Sequence, residues 1–151
     1  MSNAEILIID DEVQIRKLLE ITLQRHDFKV TQAATAREGL VAAANHPPDL
    51  ILLDIGLPDE NGQVVLKKLR EWYSKPVIIL SVQSDETSIV TALDKGANDY
   101  LVKPFRTGEL LARIRTALRF ATSKNESTII TCGDIQIDLA ARLVKKQDTP
   151  V

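Results

Sequence analysis

The chain is predicted to begin with a doubly wound α/β domain, in which helices cover both faces of a parallel sheet. Short runs rich in Ile, Val and Leu alternate with longer segments whose apolar residues recur every three or four positions. Of the 151 residues, 44% are hydrophobic and 26% are charged, which is enough apolar material to bury a core. The pattern predicts five strands in the order 2-1-3-4-5, each followed by a helix.

The predicted elements alternate without exception. The strands are Glu5–Ile9, Phe28–Gln32, Asp49–Leu53, Pro76–Leu80 and Asp99–Val102. The helices are Glu12–His26, Thr35–Asn45, Gly62–Tyr73, Ser84–Lys95 and Arg106–Phe120. Thr35 is a good helix cap, Pro47 and Pro48 stop the helix before them, and Gly96 follows another helix. The residues that start and stop helices therefore agree with the apolar periodicity.

Residues 122–151 are predicted to be a linker and the start of a second domain. A polar stretch at 122–127 has the composition of a linker, and residues 128–151 contain three short strand-like runs. These last residues are too few to build a core of their own, so we interpret them as a fragment of a second domain after a first domain at 1–121. Residues 122–151 hold four basic and four acidic residues, which is no basic patch for nucleic acid.

The composition argues against several classes of protein. The longest apolar runs, Ile6–Ile9 and Leu50–Leu53, are far shorter than the roughly 20 residues of a membrane-spanning helix, and we expect a cytoplasmic protein without a membrane partner. The single Cys132 allows no internal disulfide. His26 and His46 are the only histidines, so there is no Cys/His set for zinc.

Acidic residues stand at the ends of two predicted strands. Asp10 and Asp11 follow the first strand, and Asp54 follows the third. In the order 2-1-3-4-5 these strands are neighbours, and their carboxyl ends meet where a crevice opens in the sheet. Carboxylates gathered there repel one another unless a cation lies between them. Oxygen ligands with room for water suit Mg²⁺, so the sequence predicts a magnesium pocket.

A hydroxyl and a lysine are predicted to reach the same edge. Ser81 ends the fourth strand and Lys103 follows the fifth. A carboxylate can accept a phosphoryl group while a metal ion and a lysine neutralise the transferring oxygens and a hydroxyl hydrogen-bonds to one of them. Asp54 is our candidate nucleophile, and the carbonyl of Gly56 is a candidate further ligand.

Each of these residues has a simpler explanation when taken alone. Asp10 or Asp11 could cap the following helix, Ser81 could be a turn residue, and Lys103 could be a solvated charge. The combination of acids, hydroxyl and lysine at separate strand ends favours phosphoryl transfer.

The motifs Ile8–Glu12, Leu53–Pro58, Ser81 and Lys103–Phe105 together resemble the receiver domains of response regulators. The resemblance covers about residues 5–121. It implies a flavodoxin-like (βα)₅ fold and phosphorylation by a sensor histidine kinase. It further implies that Asp54 is the phosphorylated residue.

The resemblance also assigns roles to the other site residues. Asp11 and Asp54 are expected to ligate Mg²⁺ together with the Gly56 carbonyl, and Asp10 to act through water. Ser81 and Lys103 are expected to contact the phosphoryl group.

A switch residue and an unusual peptide bond are implied as well. Tyr100 is expected to turn inward on phosphorylation, and the Lys103–Pro104 bond to be cis. Val82 stands where a small residue is usual in the family, and its bulk could slow the entry of phosphodonors.

Gly96–Leu101 and Glu109–Arg115 further resemble the OmpR/PhoB subfamily, in which the second domain is a DNA-binding winged helix. Residues 128–151 are similar to its opening strands, and Asp138–Arg142 is similar to the potassium-transport regulators of that subfamily. Because no recognition helix is included, promoter DNA is expected to be bound only through the missing part of that domain.

The subfamily implies a homodimer that forms on phosphorylation. Asp99, Glu109 and Arg113 are expected on its dimer face. Ile89 replaces the basic residue usual in the fourth helix, and Asn98 replaces a common aspartate. These two changes could alter the charge specificity of the face or its apolar area.

Two other functions could use the same fold, but each would need residues that differ from those found here. An aspartyl-phosphate hydrolase would need a second acid two residues after Asp54, where Gly56 stands. A flavin-binding electron carrier of this fold would need a phosphate cradle, and only 4% of the residues are aromatic. We therefore expect a signalling switch rather than a conventional enzyme.

Overall fold

The structure of the chain, a computed structural model, describes residues 4–130 and the side-chain surroundings of residues 4–121. The strands are Glu5–Ile9 (β1), Lys29–Ala33 (β2), Leu50–Asp54 (β3), Val77–Ser81 (β4) and Asp99–Val102 (β5). The helices are Val13–Arg25 (α1), Ala36–Asn45 (α2), Gly62–Arg70 (α3), Glu86–Asp94 (α4) and Thr107–Ile130 (α5). All five strands lie in the first of the chain's two units, Met1–Leu118.

The five strands form one parallel sheet in the order β2-β1-β3-β4-β5, which confirms the predicted topology. The register pairs Ile9 of β1 with Leu53 of β3, so that Asp10 and Asp54 come next to each other in the following position. On the other side, Ser81 of β4 is paired with Val102 of β5, so that Lys103 follows beside it. The sheet register alone therefore brings the predicted site residues to one edge.

The core lies on both faces of the sheet, because successive side chains of a strand point to opposite faces. Leu7 and Ile9 of β1 belong to the cluster that includes apolar residues of α2 and α3. Ile6 and Ile8 belong to the cluster that includes apolar residues of α1 and α5. β3 and β4 are buried along their whole length, as expected of central strands covered by helices.

The last helix is longer than the sequence predicted. α5 continues to Ile130, so the segment 122–127, predicted as a linker, is helical here, and the strand predicted from Thr128 is helical as far as Ile130. The sequence between Gly108 and Gly133 contains no glycine or proline, so nothing in the local chemistry stops the helix. The rest of the predicted winged-helix fragment, residues 131–151, lies outside the described residues. Within the described part, no helix is long and apolar enough to cross a membrane.

Candidate functional site

Three carboxylates meet at the carboxyl ends of β1 and β3. Asp10, Asp11 and Asp54 each offer one oxygen within 4.8 Å of the others. Asp10 is fully buried, Asp54 is only 7% exposed, and Asp11 is exposed. The group is therefore open to solvent on the Asp11 side, and it has the composition of a site for a hard divalent cation.

Lys103 is the cation that the structure places among these acids. Its Nζ lies 2.8 Å from Asp10 Oδ2, 3.2 Å from Glu12 Oε1 and 3.6 Å from Asp54 Oδ1. Burial alone would lower the pKa of Lys103, but the hydrogen bond to Asp10 and the charges of Asp10 and Asp54 outweigh it, so the pKa is raised. The Lys103–Pro104 peptide bond is cis. Lys103 is thus a firmly charged ammonium within the acidic group.

One lysine does not fully compensate the acids. The pKa of Asp54 is raised from 3.8 to about 6, chiefly by burial and then by the negative charge of Asp10. The Lys103 charge and a hydrogen bond from the Gly56 N–H to Asp54 Oδ1, 3.2 Å long, act in the opposite direction. Apart from this shift, Asp10, Asp11, Glu12 and Asp54 outnumber the one lysine near them, and this excess of negative charge favours a further cation.

The loop after β3 brings Gly56 to the same cleft. Ile55 and Leu57 on either side of it are buried in the core, whereas Gly56 is exposed. Where α3 begins, Gly62 passes so close to the end of β3 that a Cβ atom there would lie 2.5 Å from the Ile55 Cα and 2.6 Å from the Asp54 carbonyl oxygen. Only glycine fits this close approach, which holds the loop against the site.

Ser81 lies on the opposite wall of the cleft. It is 3% exposed, and its Oγ accepts a hydrogen bond of 3.0 Å from the Gln83 N–H. The cleft has a volume of about 250 Å³, and Val82 and Gln83 complete this side of it. Val82 is 73% exposed, so most of its side chain faces solvent rather than filling the cleft. Val82 therefore leaves this side of the cleft open.

Tyr100 joins β5 to the loop after β4. Its ring is buried, and its hydroxyl donates a hydrogen bond of 2.8 Å to the Gln83 carbonyl. Tyr100 thus already points inward in this structure. Gln83 and Glu12 were not predicted as site residues, because their contacts depend on where β4 and β5 lie. Gln83 contributes through its backbone, and Glu12 through its contact with Lys103.

The residues expected on the dimer face form a network within the chain. Arg113 donates to both carboxylate oxygens of Asp99, at 2.9 and 3.0 Å, and to Glu109 Oε2 at 3.2 Å. Ile89 packs partly against the core cluster of α2 and α3. Asn98 belongs to a different network, in which its side-chain oxygen accepts hydrogen bonds from Arg70 and the Val77 N–H.

Comparison with known proteins identifies the class to which this fold and pocket belong. The family model of the response regulator receiver domain matches residues 6–115, and the chain belongs to that family. The resemblance inferred from the motifs is thereby confirmed. The chain is 43% identical over 147 residues to the KDP operon transcriptional regulatory protein KdpE of Escherichia coli, and 45% identical over 148 residues to KdpE of Mycobacterium tuberculosis. These alignments cover 97% of this chain but 65% and 66% of the relatives.

Solved structures agree with the assignment. The BeF₃-activated receiver domain of Klebsiella pneumoniae RstA is 30% identical, with a TM-score of 0.74 over 76% of this chain and 98% of that one. A CheY-like receiver domain from Methanospirillum hungatei is 31% identical, with a TM-score of 0.78 over 82% of this chain and 99% of that one. The chain is thus a receiver domain similar to those of transcriptional regulators, and neither rival function is supported.

Proposed function

We propose that the chain is the phosphoacceptor switch of a two-component regulator, and that a sensor histidine kinase phosphorylates it on Asp54. The observation that carries the proposal is the position of Lys103, which approaches both Asp10 and Asp54 at a cleft lined by Gly56 and Ser81. A nucleophilic carboxylate, a fixed cation and a hydroxyl around one cleft are the groups that phosphoryl transfer to an aspartate requires.

We propose Mg²⁺ as the cofactor. Asp11, Asp54 and the carbonyl of Gly56 would hold it, and Asp10 would contact it through water. The excess of carboxylates over lysine around the cleft, and the all-oxygen donor set, fit this ion. When bound, Mg²⁺ would supply positive charge against the phosphoryl oxygens.

The residues of the chain have distinct parts in the transfer. An Asp54 carboxylate oxygen forms a bond to phosphorus while the bond between phosphorus and the donor's imidazole nitrogen breaks, which leaves an acyl phosphate. Lys103 is held charged by Asp10 and would stabilise the negative oxygens that develop. The Ser81 oxygen accepts a bond from the Gln83 N–H, so its hydroxyl hydrogen can be donated to a phosphoryl oxygen.

The test is the intact mass of the chain after incubation with acetyl phosphate, with Mg²⁺ or with EDTA. We expect the mass of one phosphoryl group to be added to the wild type only when Mg²⁺ is present. Asp54→Asn should gain nothing, whereas Asp94→Asn, which removes an exposed carboxylate at the end of α4, should behave as the wild type does. If the wild type gains no mass and beryllofluoride also fails to bind, the proposal is wrong.

We further propose the output of the switch. Tyr100 and Ser81 would couple the phosphoryl group to a homodimer face that includes Asp99, Glu109 and Arg113. The Arg113 network supports this because it presents one guanidinium and two carboxylates on a partly exposed surface of β5 and α5. A second domain, proposed to begin at residue 128 after a linker at 122–127, would carry the contacts to promoter DNA, since the full-length relatives are transcriptional regulators. Residues 122–127 are helical in this structure, so we propose this linker from its composition alone.

A further inference from the structure

The loop between β3 and α3 is tied to a helix that is distant in sequence. Asp59 in this loop accepts a hydrogen bond from the Ala36 N–H at Oδ1, 2.8 Å long, and one from the Arg37 N–H at Oδ2, 3.1 Å long. Ala36 and Arg37 are the first residues of α2. The Asp59 side chain is exposed, yet these bonds, chiefly the one from Ala36, lower its pKa. It is therefore a charged group on the positive end of α2.

α2 has a cap of its own and does not depend on Asp59 for one. Thr35 is the residue before the helix, and its Oγ1 accepts a hydrogen bond of 3.1 Å from the Glu38 N–H. Glu38 reaches back and accepts a hydrogen bond of 2.9 Å from the N–H of Ala34, the residue before the cap, in an arrangement close to a capping box. The two caps bind different N–H groups of the same helix end. Only the Asp59 cap also holds the loop that contains Gly56.

The other restraints on this loop act at its two ends. On the side next to β3, Ile55 and Leu57 are buried in the core. On the side next to α3, the Asn61 side chain accepts from the Gln63 N–H at 2.7 Å and so caps that helix. Between them Pro58 and Asp59 are exposed, and Glu60 is paired with Lys68 of α3 at 2.9 Å, so the bonds of Asp59 are what tie this loop to α2.

We propose that Asp59 is a positioning residue for the metal site, which acts by fixing the loop so that Gly56 is held beside Asp54. This inference rests on the proposed function, in which the Gly56 carbonyl is a ligand. A carbonyl on a loop binds a cation well only if it is already in place, because ordering the loop otherwise opposes binding. Groups that orient the ligands of a metal ion commonly change its affinity by 10- to 100-fold.

The experiment is a direct titration with Mg²⁺ by calorimetry, without any phosphodonor, on the 151-residue chain. Asp59→Ala removes both bonds to α2 and should weaken Mg²⁺ binding by roughly tenfold. Asp59→Asn keeps one acceptor oxygen and should show a smaller loss. Thr35→Ala is the matched control, because it removes a cap from the same helix end without releasing the loop, and its Mg²⁺ affinity should equal that of the wild type.

A second readout follows the loop itself. The amide resonance of Gly56 in metal-free protein should shift in Asp59→Ala and stay in place in Thr35→Ala, while both variants lose a similar amount of thermal stability. Equal Mg²⁺ affinities for the wild type and Asp59→Ala would show that Asp59 is a helix cap alone, and so would an equal loss in Thr35→Ala. Failure of the wild type itself to bind Mg²⁺ would instead overturn the proposed metal site, and with it this inference.

Discussion

The two edges of the sheet differ in how their charged side chains are paired. At the carboxyl edge, Asp10, Asp11 and Asp54 lie within 4.8 Å of one another, and Lys103 is the one lysine among the residues that line the cleft. Burial, and then the negative charge of Asp10, raises the pKa of Asp54 to about 6. Lys103 offsets only part of the repulsion among the acids, because they outnumber it.

At the opposite edge, one arginine satisfies several backbone groups. Arg70, at the end of α3, donates to the carbonyls of Tyr73, Lys75 and Gly96 at 2.7–2.9 Å and to the Asn98 side-chain oxygen at 2.8 Å. These contacts join the segments that precede β4 and β5. The half-buried guanidinium of Arg70 is surrounded by hydrogen-bond acceptors, so this edge stabilises the domain, while the acids of the other edge are available for chemistry.

Two residues show how closely the Arg70 contacts constrain the sequence. Gly96 has φ of +116°, and a Cβ atom there would lie 2.8 Å from the Arg70 Cγ. Glycine is therefore required both by the backbone conformation and by the arginine. Asn98, where an aspartate is common in the subfamily, is explained by the same contacts, since it receives hydrogen bonds from Arg70 and from the Val77 N–H. Three substitutions test whether the two edges differ in this way.

The largest effect is expected for Arg70→Ala. The substitution leaves carbonyl acceptors without their donor and removes the arginine stem, and it should lower the free energy of unfolding by about 3 kcal/mol. Urea unfolding of metal-free protein measures this. Lys67→Ala is the control, because it removes an exposed positive charge from the same helix, and it should change stability by no more than about 0.5 kcal/mol. Equal effects of the two substitutions would remove the distinction between the edges.

An intermediate effect of opposite sign is expected for Asp54→Asn in EDTA. The pKa of Asp54 is raised in the folded state from 3.8 to about 6, so protonation of this group stabilises the fold below about pH 4, and that contribution is lost as the pH rises through 6. At pH 7.5 a shift of this size corresponds to about 3 kcal/mol, of which the neutral amide should recover a part, so Asp54→Asn should be more stable than the wild type by about 2 kcal/mol.

The pH series tests the assignment to Asp54. The advantage of Asp54→Asn should shrink toward pH 4, and Asp94→Asn should show no such trend in urea unfolding. Saturating Mg²⁺ should reduce the difference at pH 7.5 by stabilising the wild type. A wild type that is as stable as Asp54→Asn at every pH would mean that the ionised Asp54 carboxylate does not destabilise the fold.

The smallest effect is expected for Asn98→Asp. The new carboxylate keeps the acceptor for the Val77 N–H and adds a charge next to Arg70, so stability should rise by about 0.5 kcal/mol at low salt and by less at high salt. Thermal unfolding of the wild type and the variant at both salt concentrations measures the gain. A loss of stability would show that the Arg70 contacts prefer a neutral partner.

Much of the site could be predicted because it follows from local patterns. Alternating strands and helices indicate a parallel sheet, and a residue that directly follows a strand must lie at the edge of that sheet. Asp10, Asp54, Ser81 and Lys103 were predicted together on this basis, and the structure brings them around one cleft. The helix predicted to end at Phe120 continues to Ile130 in the structure, because the polar stretch after Phe120 contains no residue that stops a helix.

The sequence by itself determined the order of the strands and which residues reach the active edge, since strand period and sheet register act over a few residues at a time. Only the tertiary structure decided that Lys103 pairs most closely with Asp10, that Asp59 binds the start of α2, and that Arg70 binds Asn98. The members of these pairs are separated by 23 to 93 residues. No periodic pattern relates such residues, because their bonds depend on where side chains end in space after the helices have packed on the sheet.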